Sequence, residues 1–215
     1  MIEQRAYLRD CMEAMAEFPD KFFDLAVVDP PYGIGAANMN LGIGKGKNCS
    51  KLKNRKWQSK NWDNNVPDLA YFDQLRRVSK NQVIWGANHF ISRIPIDSSC
   101  WIVWDKKIDE AMSFASIELA YTSFLTSAKI FTYSVYLDKG DRYHPTQKPV
   151  ALYDWIFANY AKAGQKILDT HLGSGSSRIA ANKAGLDFWG YELDADYFAA
   201  HEKRYANFIA QLRLF

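Results

Sequence analysis

The apolar run Leu25-Ala26-Val27-Val28 stops at Asp29-Pro30-Pro31-Tyr32 and is followed at once by Gly33. A short aliphatic run closed by proline reads as a buried strand, because neither proline can continue a sheet ladder. A carboxylate, two prolines and an aromatic ring therefore stand at the carboxyl end of a strand, where open α/β sheets hold their ligands. The group suits a flat, amine-bearing substrate gripped by edge and face. Taken alone, Asp29 reads equally well as a strand-end carboxylate in a proline-rich turn.

The rest of the chain supplies the sheet such a strand requires. The spacing predicts a helix over Ala6–Phe18, a strand over Phe22–Val28 and a helix over Asp68–Val78 through Leu69, Phe72 and Leu75. Short strands follow at Gln82–Trp85, ending at Gly86, and at Trp101–Trp104, ending at Asp105. Ile117–Tyr121 and Lys129–Tyr136 read as further strands, the second as an antiparallel edge. Pro149 opens a helix to Tyr160, Lys166–Leu168 is a strand, and Ser176–Ala184 is a helix closed by Gly185. Asp187–Tyr191 is a strand, and Asp194 starts a last helix to Leu212. Strands alternating with helices at both ends imply one α/β domain, a mostly parallel sheet with helices on both faces. A chain of 215 residues suits one such core.

No apolar run approaches the ~20 residues that span a bilayer, and the N-terminus does not read as a signal peptide. Cys11, Cys49 and Cys100 are odd in number and widely spaced, which fits a reducing cytoplasm rather than a disulfide framework or a structural zinc site. Net charge is only +3, but it is unevenly placed. Between Gly33 and Trp62 stand Lys45, Lys47, Lys51, Lys53, Arg55, Lys56 and Lys60, with no acid among them. With its glycines and asparagines the stretch reads as a basic loop beside Asp29, with a phosphate backbone as its natural partner. Trp57 and Trp62 add apolar area that a merely solvated loop does not call for.

A second constellation lies downstream. Ile167-Leu168-Asp169 leads into Gly173-Ser174-Gly175-Ser176-Ser177, and the strand Phe188–Tyr191 ends in Glu192. The glycines permit a tight turn and close approach of a ligand. An acid after the next strand suits a pair of ribose hydroxyls. A dinucleotide would favour a third glycine where Arg178 stands; a phosphate-free cofactor such as S-adenosylmethionine asks for less. His144-Pro145-Thr146-Gln147-Lys148-Pro149 precedes the helix before this strand. Thr146, Gln147 and Lys148 are suited to the amino-acid end of a cofactor. No second ligand stands at metal spacing from His144, and no metal is expected.

Together these segments resemble a known family: the amino-group DNA methyltransferases, specifically adenine-N6 enzymes of the permuted, beta-type order, with the catalytic motif before the cofactor motif. Asp29 to Tyr32 matches the catalytic tetrad, His144 to Pro149 the segment before the cofactor strand, Asp169 to Ser177 the glycine-rich loop, and Tyr191-Glu192 the ribose acid. Asp10 resembles the acid that approaches the cofactor's adenine. The resemblance covers nearly the whole chain and implies a Rossmann-like, S-adenosylmethionine-dependent fold built on a seven-stranded-type sheet in permuted order. It implies catalysis by Asp29, Pro30, Pro31 and Tyr32. It also implies cofactor contacts at Asp10, Asp29, His144, Thr146, Gln147, Lys148, Asp169, His171, Gly173, Ser174, Gly175, Ser176, Glu192 and Leu193. Thr170 and His171 stand where the family commonly has proline and an aromatic. The segment 106–143 leaves little room for a target-recognition domain, as in a small, prophage-type member of restriction–modification systems.

The implied reaction is site-specific methyl transfer to the N6 amine of an adenine flipped out of double-stranded DNA. Tyr32 would stack on the base, while Asp29 and the Pro30 carbonyl accept its two N6 hydrogens. Cytosine-N4 transfer uses the same physics, but its tetrad more often starts with serine, so Asp29 favours adenine. An asparagine-led tetrad would suit protein-glutamine or RNA targets. A catalytically inactive cofactor- and DNA-binding protein stays open, as does a homodimer. The implied location is the cytoplasm, at the nucleoid when bound to DNA. Asn88, His89, Asp105 and Lys106 end further strands and are candidates to line the site.

Overall fold

The computed structural model describes residues 2–36, 60–94, 96–108, 115–135, 137 and 142–212. Among the described residues eight strands form one sheet: β1 (Gln4–Leu8), β2 (Phe23–Val28), β3 (Ser79–Trp85), β4 (Trp101–Asp105), β5 (Ile117–Thr122), β6 (Lys129–Thr132), β7 (Lys166–Asp169) and β8 (Asp187–Glu192). Their order is β1-β8-β7-β2-β3-β5-β4-β6. The α-helices among the described residues are α1 (Cys11–Ala16), α2 (Leu69–Val78), α3 (Val150–Tyr160), α4 (Ser176–Lys183) and α5 (Ala195–Leu212). Two turns of 3-10 helix follow β3, at Ala87–His89 and Ile91–Arg93.

The central strand β2 is buried on both faces and its side chains alternate between two cores. Ala26 and Val28 face Met15 of α1 and Phe72 and Leu75 of α2. Leu25 and Val27 face Leu152 and Ile156 of α3 and Ala180 of α4. The mostly parallel α/β sheet covered on both faces is thus the observed architecture, with β6 as an eighth strand at the edge.

Two local expectations are corrected. Ala6–Phe18 is not one helix: β1 pairs in parallel with β8 from Gln4↔Phe188 to Leu8↔Glu192, and α1 begins only at Cys11. The break is Asp10, whose carboxylate accepts hydrogen bonds from the Met12 and Glu13 amides at 2.7 and 3.2 Å as an N-cap. The second correction concerns direction. The antiparallel strand is β5, inserted between β3 and β4, whereas the edge strand β6 runs parallel to β4. Because β5 runs against its neighbours, its first residues lie beside the carboxyl ends of β3 and β4. Glu118 thereby reaches the edge of the sheet where β2, β7 and β8 also end.

Candidate active site

Asp29 follows β2 and Asp169 ends β7, the strand paired with β2 in parallel at Leu25↔Ile167 and Ala26↔Leu168. Their carboxylates therefore emerge side by side. The Tyr32 hydroxyl donates to Asp29 Oδ1 at 2.6 Å. Two groups define the faces of the Tyr32 ring. Gly86 sits against it so closely that a Cβ there would lie 2.0 Å from Tyr32 Cε1, and its φ of +68° is a left-handed value that glycine takes without strain. His89 stacks on the ring at 5.0 Å between centroids and 15° between planes, close to what a planar base would adopt. A base entering on that face requires the His89 ring to move.

The turn is held from the far end of the basic segment. Buried Asp63 accepts from the Tyr32 and Gly33 amides through Oδ1, at 2.6 and 2.9 Å, and from the Ala36 amide through Oδ2 at 2.7 Å. Three backbone donors on one carboxylate fix the turn that carries the tetrad. Sequence reasoning passed over Asp63. Its signal was its place, as the first acid after the acid-free stretch Gly33–Trp62.

Lys148 is the largest departure at the site. Expected at the amino-acid end of a cofactor, its ammonium instead lies 2.5 Å from Asp29 Oδ2 and 3.1 Å from Glu118 Oε2. It also donates to the Tyr32 hydroxyl at 3.2 Å. Glu118 is paired on its other oxygen with Lys106, at 2.6 Å. Burial opposes the charge on Lys148, but Asp29 and Glu118 outweigh it and raise the ammonium above its ordinary range. Burial would also lift Glu118, yet Lys148 and Lys106 pull its carboxyl down to about 2. Asp29 is raised, chiefly by burial, with Lys148 opposing and Glu118 adding to the rise. Of the candidate liners, Lys106 joins this cluster through Glu118, while Asp105 pairs with Lys107 at 2.7 Å. Trp85 and Trp104 are core residues.

The same lysine ties this cluster to the glycine loop, since its backbone carbonyl accepts from Ser176 Oγ at 2.7 Å. Glu192, at the end of β8, accepts from the Gly173 amide at 2.8 Å and from the Leu193 and Asp194 amides at 3.0 and 2.9 Å. A Cβ on Gly173 would stand 3.7 Å from the His144 ring, which places the His144–Pro149 segment over the loop. Gly175 plays a different part: a Cβ there would meet His201 at 2.3 Å, so this glycine serves the packing of α5. Ser174 donates or accepts with Ser176 at 3.2 Å, and Arg204 binds the Ser174 carbonyl at 2.9 Å. Thr146 bonds to His144 Nδ1 at 3.1 Å, and Gln147 Oε1 accepts from the Tyr143 amide at 2.9 Å. Leu193 is 72% exposed.

The charge pattern suits a ligand with one positive and several hydroxyl groups. Asp169 is buried and accepts from Ser177 Oγ at 2.5 Å and the His171 amide at 3.0 Å, but among the described residues it has no ion-pair partner. Burial, reinforced by Asp29 and Glu192, lifts its carboxyl to about 7. Glu192 is likewise raised by burial against its three amide bonds. A buried acid without a counter-ion is a seat for a ligand ammonium. Burial pushes His144 down to about 3 and His171 to about 4, so both rings are neutral at pH 7. Among the described residues no group of three or more His, Cys, Asp or Glu is placed to hold a metal ion.

Of the seven basic residues expected at phosphates, Lys45, Lys47, Lys51, Lys53, Arg55 and Lys56 lie outside the described residues, as does Trp57. Lys60 is described: its ammonium is held by Asp194 at 2.6 Å and by Asp196 at 2.6 Å, where the first turn of α5 favours acids that then draw in a cation. Trp62 covers His144, 5.0 Å away between ring centroids. No helix among the described residues is long and apolar enough to cross a membrane.

Comparison with known proteins gives a family and a fold. A family model described as DNA methylase, for N6 and N4 enzymes, matches residues 82–203. The chain is 23% identical to the putative methylase YubD of Escherichia coli (strain K12), over 92% of this chain and 88% of that protein. It is 24% identical to the type II methyltransferase M2.MboI of Moraxella bovis, over 93% and 86%. Among solved structures, M1.HpyAVI in complex with S-adenosylmethionine superposes with a TM-score of 0.63 at 20% identity, over 95% of this chain and 98% of that one. The cytosine-N4-specific PvuII DNA methyltransferase gives 0.60 at 11% identity, over 93% and 85%.

Proposed function

The chain belongs to the DNA methylase family of N6 and N4 amino-methyltransferases, and from that premise we propose that it methylates the N6 amine of an adenine flipped out of duplex DNA. S-adenosylmethionine is the methyl donor; when bound, it supplies an electrophilic methyl group on a sulfonium. One observation carries the proposal. Lys148 ties the two halves of the site together, its ammonium on Asp29 and its carbonyl on Ser176 of the glycine loop.

Asp169 would supply the counter-charge for the donor's ammonium, Glu192 would accept from its ribose hydroxyls, and Asp10 would be the acid nearest its adenine. Gly173, at φ +50°, takes the left-handed backbone of the loop beneath His144. On the substrate side, an adenine amine is a poor nucleophile because its lone pair is shared with the ring. Asp29 and the Pro30 carbonyl each accept one N6 hydrogen, which favours the pyramidal, charge-developing nitrogen of the transition state. Asp29 then takes the departing proton. Pro31 and Asp63 hold the turn so that these acceptors do not wander. Tyr32 stacks on the base. The cytosine-N4 reading relies on the same contacts; the aspartate at the head of the tetrad favours adenine.

The test is transfer of labelled methyl from S-adenosylmethionine to duplex DNA, followed by nucleoside identification. N6-methyladenine is expected; N4-methylcytosine alone would overturn the adenine assignment, and no incorporation would leave only the binding-protein reading. The loop lysines are assigned to phosphates. Duplex affinity should therefore fall steeply with salt, with a log–log slope of about −0.9 per phosphate neutralised. A salt-independent affinity would remove that assignment.

A further inference from the structure

Glu118 stands outside every motif of the methyl-transfer reading, yet it is nearer to Asp29's chemistry than most residues within them. Among the described residues strand β5 is the one antiparallel member of the sheet, and this direction brings its second residue to the carboxyl edge. Glu118 Oε2 lies 3.1 Å from Lys148 and 3.5 Å from the Tyr32 hydroxyl, while Oε1 lies 2.6 Å from Lys106. Lys148 thus sits between two carboxylates, at 2.5 Å from Asp29 and 3.1 Å from Glu118.

This arrangement answers a difficulty in the mechanism. Both oxygens of Asp29 are engaged, one by Tyr32 and one by Lys148. An ammonium held only by Asp29 would compete with the target amine for the acceptor and would draw off the negative charge that stabilises it. A second carboxylate at the far side of the ammonium shares that charge. Resting on the transferase reading above, we infer that Glu118 is a positioning residue for methyl transfer, sharing the charge of Lys148 with Asp29 so that Asp29 can accept the amine. Lys106 sets how much of Glu118's charge is available for this.

The groups facing Asp29 are Lys148 ahead of α3, Glu118 on β5, Tyr32 in its own turn, Tyr153 on α3, Asp169 on β7 and Tyr71 on α2. Of these, Glu118 and Lys148 act on Asp29 as opposed full charges, so the acid limb of the kcat–pH profile reads the balance between them. Activity requires ionised Asp29 and falls as pH drops through its titration. Glu118→Gln leaves Lys148 acting alone on Asp29 and should move the acid limb down by about one pH unit. The same variant should lower plateau kcat by about tenfold, with the KM for S-adenosylmethionine unchanged. Lys106→Met frees more of Glu118's charge and should move the limb up. Glu118→Asp, which keeps the charge, should return the limb towards its wild-type position. Thermal unfolding shows which variants are folded, and if Glu118→Gln is not, Lys106→Met decides alone. A limb that stays at the wild-type pH in either folded variant overturns the inference. Absence of transfer by the wild-type protein would overturn the transferase reading and this inference with it.

Discussion

Asp169 concentrates a conflict between burial and charge. Buried with only a serine hydroxyl and one amide for company, it titrates at about 7 against an ordinary 3.8. The raised value means that the folded protein holds its proton more tightly than the unfolded chain. Stability linked to this group is therefore greatest at acid pH and is lost as pH rises from about 4 towards 7. Asp169→Asn should accordingly raise the unfolding midpoint at pH 8 while leaving it unchanged near pH 4, as scanning calorimetry would read. An ammonium-bearing cofactor prefers the ionised form. Its affinity should strengthen between pH 5 and 7, by up to about tenfold per pH unit, and this gain should vanish in Asp169→Asn. A flat affinity across that range would remove Asp169 from the cofactor site.

The elements around the site explain what the chain showed in advance and what it hid. Asp29 follows β2, and β7 and β8 end in Asp169 and Glu192; each was legible because a short run of apolar residues stops at an acid, with Pro30 after the first, Gly173 four residues beyond the second and Gly190 two residues before the third. Strand β1 was not, because Tyr7 and Leu8 are exposed on an edge strand and their spacing runs smoothly into that of α1. The N-cap type at Asp10 was the one available break signal. The direction of β5 is absent from local pattern altogether, since alternation does not encode which way a strand runs; for that reason Glu118 escaped notice. Lys148 was assigned by its motif, but a flexible four-carbon stem goes to the strongest nearby charges. The Asp63 clasp also joins elements distant in sequence, and it yields a direct test. Asp63→Asn turns an amide donor toward the Ala36 N–H or abandons the Tyr32 and Gly33 amides. Turnover should fall by about a hundredfold through misplacement of the tetrad, with cofactor affinity measured by calorimetry unchanged. Undiminished turnover would show that the turn holds itself.

The whole molecule is a sheet whose permuted chain order still brings the acceptor strand and the cofactor strand together. Asp29 comes early and Asp169 late, yet β2 and β7 are neighbours, and both cores pack across them. The two described ends of the basic segment, 33–36 and 60–62, lie at this edge, tied by Asp63 to the tetrad turn and by Lys60 to the start of α5. DNA held by that segment would thus be held beside the acceptor. Separating the two duties of the shared space is the sharpest test. Asp29→Ala should lower methyl transfer to duplex DNA by at least about a hundredfold, while S-adenosylmethionine affinity, measured by titration calorimetry on the same preparation, stays within about twofold of wild type. Transfer that survives the substitution would contradict the placement of the reaction at Asp29.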